Sequence, residues 1–118
     1  MLYTNLKHIE TTVDHAKIID ENENVMIVCG RMEPSSVLIY RIAEELETQY
    51  PHVKFFDIEF DNPESNVLKN ALDYYNITDV PLVYYFKNGE MANVSFGRQT
   101  PEQIKAILDK EFAISVNA

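Results

Sequence analysis

The run Val80–Phe96, VPLVYYFKNGEMANVSF, holds two strand-like stretches on either side of Asn88-Gly89. Both turn residues tolerate positive φ, so the pair predicts a tight turn and an antiparallel hairpin. Upstream of this hairpin the strand-like runs are separated by helical ones, and strands joined through a helix lie parallel. A chain with both kinds of connection builds a mixed sheet. The expected class is α/β, a mixed central sheet with helices on both faces.

Working outward from the hairpin, Gly97 is followed by Thr100-Pro101-Glu102-Gln103. Thr100 as N-cap, Pro101 at the first helical position and Gln103 closing a capping box predict a helix start. Ile104, Ile107, Leu108 and Phe112 would form its inner face. On the other side, Val25–Cys29 (VMIVC) is short, apolar on both faces and rich in β-branched residues, as in a covered interior strand. From Pro34 to Tyr50, Leu38, Ile42 and Leu46 recur at four-residue steps, widened by Ile39 and Ala43, while Arg41, Glu44, Glu45 and Glu47 lie off the stripe. Pro34 suits the first turn of that helix, and Pro51 cannot continue it. A second strand is expected at VKFFDIEF (Val53–Phe60), then a helix capped by Asp61 or Asn62 and started by Pro63. An earlier helix is expected from about Ile9 to Ile19, with Ile9, Val13 and Ala16 inward. The order reads helix, strand, helix, strand, helix, hairpin, helix.

A chain of 118 residues suits one core. Residues 1–112 are expected to form a single domain and 113–118 a tail. With 10 basic and 19 acidic residues the formal charge is −9, which disfavours nucleic acid and anionic lipid as partners and hints at a basic one. No apolar run approaches the ~20 residues that span a bilayer, and the first residues lack the pattern of a secretory leader, so the expected compartment is cytoplasmic. Cys29 is the single cysteine, which excludes an intramolecular disulfide. His8, His15 and His52 do not cluster and read as solvated. Asp57, Glu59 and Asp61 alternate along a strand, which leaves open an acidic patch, a cation site or ordinary structural carboxylates. Tyr84 and Tyr85 point to opposite faces, with one expected in the core. No phosphate-binding glycine loop, nucleophile elbow or zinc spacing is present, and no cofactor is implied.

The stretch Asn76–Glu90, NITDVPLVYYFKNGE, resembles the thioredoxin family: a helix end, a proline that in the family follows a cis peptide bond and opens a strand, then a Lys-Asn-Gly turn. Gly97 and Thr100-Pro101-Glu102 extend the likeness, which covers about Lys17 to Phe112. It implies a thioredoxin-like fold. It also places Met32-Glu33-Pro34-Ser35-Ser36 where the family carries its Trp-Cys-Gly-Pro-Cys segment. Glu33 then stands at the nucleophilic cysteine and Ser36 at the resolving one, while the family's buried aspartate falls on Ile27. A second register reads Cys29-Gly30-Arg31-Met32 as the motif and starts the helix near Gly30, with Pro34 one turn inside it.

Thiol–disulfide exchange needs an attacking thiolate and a second thiol to release the mixed disulfide. With Glu33 and Ser36 in those places, no dithiol chemistry is expected. Cys29 reads either as core filling or as a thiol that Arg31 could activate. In the family a peptide lies extended against the backbone of the residue before the cis proline, a form of strand addition. The resemblance therefore implies a peptide-binding rim of Met32, Glu33, Val80, Pro81, Phe96 and Gly97. The expected function is a non-catalytic binding domain for a protein or peptide, with a monothiol redox or sensing role of Cys29 as the alternative.

Overall fold

A computed structural model describes residues 4–62 and 81–113. Within them five strands form one sheet in the order β1-β3-β2-β4-β5: β1 (Lys7–Ile9), β2 (Asn24–Gly30), β3 (Lys54–Glu59), β4 (Leu82–Lys87) and β5 (Glu90–Phe96). β1 and β2 both run parallel to β3, while β4 lies antiparallel to β2 and to β5. The hairpin turns on Asn88 and Gly89, both at positive φ, 52° and 83°.

Helices α1 (Thr12–Glu21), α2 (Pro34–Gln49) and α3 (Pro101–Glu111) cover both faces. On one face, Ile39, Tyr40, Ala43 and Leu46 of α2 and Ile104 and Leu108 of α3 pack on Met26, Val28, Phe55, Val83 and Tyr85. On the other, Ile18 and Ile19 of α1 border a cluster of Ile9, Ile27, Cys29, Ile58, Leu82 and Tyr84. All seven residues of β2 are buried, as an apolar strand covered on both faces requires. Thr100 caps α3 in a full capping box with Gln103.

The structure departs from the sequence reading at the N-terminus. Ile9 ends a short edge strand, and the helix starts three residues later, where Thr11 Oγ1 accepts from the Asp14 amide at 3.0 Å. That shift rotates the helix, so Val13 and Ala16 are exposed while His15 turns inward, edge-on to Phe86 at 5.5 Å. Burial lowers the His15 pKa, so the residue is not the solvated histidine expected. Tyr84 and Tyr85 are both buried, because β4 is covered on both faces. Leu38 departs from the expected core stripe of α2 and is 49% exposed. The helix expected after Asn62 lies outside the described residues.

Candidate functional site

The C-terminal ends of β2, β3 and β5 and the start of β4 meet at one end of the sheet: Gly30 pairs with Glu59, Cys29 with Leu82, and Leu82 with Phe96. At this end β2 stops at Gly30 and α2 starts at Pro34, with Glu33 as N-cap residue. Glu33 carbonyl takes the first helical bond, from the Val37 amide at 2.9 Å. Its carboxylate does not cap the helix amides; Oε1 accepts from Ser36 Oγ at 2.7 Å. Ser36 is fully buried, and its hydroxyl also accepts from the Arg31 amide at 3.4 Å.

This start of α2 puts Cys29 inside β2 rather than at a helix start, against the register built on Cys29-Gly30-Arg31-Met32. Cys29 is fully buried. Arg31 is bound to Asp61, through Nε at 2.8 Å and Nη2 at 3.0 Å, and its guanidinium lies 4.7 Å from the Phe60 ring centroid.

Beneath the turn, Gly30 is a close approach: a Cβ there would come within 2.7 Å of the Tyr40 hydroxyl and 2.8 Å of Ser36 Oγ. The Tyr40 hydroxyl is buried and, among the described residues, has no hydrogen-bond partner. Burial, aided by the charge of Asp57, holds it above the ordinary phenol range, so it stays protonated. Asp57, also buried, pairs with His8 Nδ1 at 2.6 Å, and Thr4 Oγ1 donates to its other oxygen. Burial raises the Asp57 pKa and the two hydrogen bonds oppose the rise. The alternating carboxylates therefore do not share a site, since Asp57 serves the N-terminal segment and Asp61 holds Arg31. Among the described residues no three His, Cys, Asp or Glu side chains gather around a common point where a metal would sit.

The opposite wall is the link from β5 to α3. The Gly97 amide donates to the Pro81 carbonyl at 2.9 Å, and Gly97 adopts φ of 71°. Pro81 is buried and contributes backbone rather than an apolar surface. Met32 and Phe96 are 42% and 50% exposed, a high value for side chains of this size. Glu33, Pro34, Ser35, Leu38 and Arg98 line an open depression of about 450 Å³. The structure thus joins Glu33 to Ser36 at the start of α2, and Pro81 to Gly97, next to Phe96, at the end of β5. Val80 and the peptide bond before Pro81 lie outside the described residues. Arg98 was not singled out in the sequence, and Leu38 was expected in the core stripe of α2. Their part follows from exposure, and for Arg98 from having no partner among the described residues, neither of which has a sequence signal.

Neither a family profile nor a curated protein sequence matches the chain. Solved structures do. The thioredoxin of Plasmodium falciparum superposes with a TM-score of 0.74 at 21% identity, over 89% of this chain and 98% of that one. A mutant thioredoxin of Halobacterium salinarum gives 0.77 at 14% identity, over 97% and 98%. The thioredoxin of Fasciola hepatica gives 0.74 at 18% identity, over 90% and 99%. The chain has the thioredoxin fold, and with Cys29 its single cysteine it carries no Cys-x-x-Cys pair.

Proposed function

We propose that this chain is a non-catalytic thioredoxin-like domain that binds a protein or peptide, as an assembly or chaperone-like factor does. The observation that carries the reading is the start of α2: Glu33 and Ser36 stand there, hydrogen-bonded to each other at 2.7 Å. A carboxylate is a poor nucleophile toward sulfur, and a serine hydroxyl is protonated at neutral pH, so neither step of dithiol exchange has a group to perform it. Met32, Leu38 and Phe96 are exposed, and apolar side chains of this size left at the surface are of the kind that marks interaction surfaces. Met32 adapts readily to differently shaped partners. The burial of Cys29 weighs against the monothiol alternative, since exchange needs an accessible thiolate.

Two measurements test this. With dithiothreitol as electron source and insulin as substrate, the protein is expected to add nothing to the rate of the reductant alone; turnover comparable to a thioredoxin overturns the non-catalytic reading. Val80→Asp and Phe96→Ala are expected to weaken binding of an identified cellular partner by about tenfold or more, as loss of a central anchor does. Unchanged binding in both variants rules out the rim.

A further inference from the structure

Arg98 stands out among the arginines. Arg31 and Arg41 are each bound to a carboxylate, Asp61 and Glu44 respectively. Arg98 is exposed and, among the described residues, forms no hydrogen bond or ion pair, in a chain with 19 acidic side chains against 10 basic ones. Glu33, which shares the depression with it, is occupied by Ser36. Pro34 and half-exposed Leu38 line the same depression and give it apolar surface. The volume of about 450 Å³ falls within the roughly 300–1,000 Å³ of ligand pockets.

We propose that this depression selects a partner segment in which an apolar side chain lies close to an aspartate or glutamate. The inference rests on the binding reading above and specifies its ligand. The apolar group covers Pro34 and Leu38. The carboxylate meets Arg98, whose planar guanidinium can hold both its oxygens. Glu33, also in the lining, repels a second carboxylate and so sets the direction in which the segment lies. The overall charge of −9 acts at long range and favours encounter with a basic protein, but the contact itself is decided by the local pair.

The test is selection of a random heptapeptide display library against the intact protein and its R98E and L38S variants, both at exposed positions. An enriched peptide is then resynthesised with Glu, Gln or Lys at the selected acidic position and its binding measured by fluorescence polarisation. The wild type is expected to enrich apolar residues next to Asp or Glu, and to bind the Glu peptide about 2–5-fold more tightly than the Lys peptide, the upper part of the span of a solvent-exposed charge contact. R98E is expected to reverse that order, and L38S to lose the apolar preference. Peptides that bind wild type and R98E alike, or that show no acidic preference, overturn this proposal and leave the binding site standing. Failure to enrich any peptide overturns both.

Discussion

The β2–α2 turn and the β5–α3 turn both reach the depression, yet their polar groups are used differently. In the first, the side chains of Arg31, Glu33 and Ser36 are all hydrogen-bonded within the molecule. In the second, Arg98 has no partner among the described residues and Gln99 Oε1 is buried without one. The contrast extends to the glycines. Gly30 is pressed by two side chains, whereas a Cβ on Gly97 would meet nothing within 4 Å. A polar side chain already bonded within the molecule gains little from a partner. A turn with an unused guanidinium beside an exposed Phe96 still has interactions to make.

Gly30→Ala gives the largest expected effect. The new methyl would overlap the Tyr40 hydroxyl and Ser36 Oγ, and overpacking of a closed site costs about 1–3 kcal/mol. Because Tyr40 is one of the two obstacles, adding Tyr40→Phe should recover part of the loss, and Tyr40→Phe alone should be neutral or stabilising, since it removes an unpartnered buried hydroxyl. Urea denaturation of the four proteins in a double-mutant cycle checks both points. If Gly30→Ala is silent, the β2–α2 turn is not the rigid wall described.

The facing glycine should respond less and for another reason. Gly97→Ala has room for its methyl, so its cost of about 1 kcal/mol comes from the left-handed backbone at φ of 71° alone. Gly97→Asn should cost less than Gly97→Ala, since asparagine tolerates that conformation. An alanine penalty equal to that at Gly30, or asparagine worse than alanine, would mean that this turn is packed after all.

Much of this arrangement was legible in the sequence because it is encoded locally. The Asn88-Gly89 turn, the Thr100–Gln103 capping box and Pro34 at a helix start each depend on residues a few positions apart. The strand Lys7–Ile9 was not legible. Three residues give no periodicity, and the strand exists through its register with β3, where His8 lies opposite Asp57. The inward turn of His15 failed to show for a related reason, since the phase of α1 follows from where Thr11 caps it. At the site, Glu33, Ser36 and Phe96 could be placed by the family motif. Leu38 was lost in a regular apolar stripe, and Arg98 is picked out by having no partner among the described residues, which has no sequence signal.

The smallest expected effect lies beneath the rigid turn, in the titration of Asp57. Its burial raises the pKa from 3.8, while Thr4 and His8 pull it back, so only a remainder is felt. A carboxyl that holds its proton more tightly when folded favours folding below the unfolded pKa, and that contribution is lost as pH rises through the folded value. Asp57→Asn carries no such charge. Between about pH 3.8 and about pH 6, below the ordinary histidine value, the wild type should therefore lose stability relative to Asp57→Asn as pH increases, read from paired urea midpoints. The opposite slope would mean that the hydrogen bonds from Thr4 and His8 outweigh burial. Asp57 would then be an anchor for the N-terminal strand whose charge the fold requires, and the interior under the β2–α2 turn would depend on its electrostatics as much as on its packing.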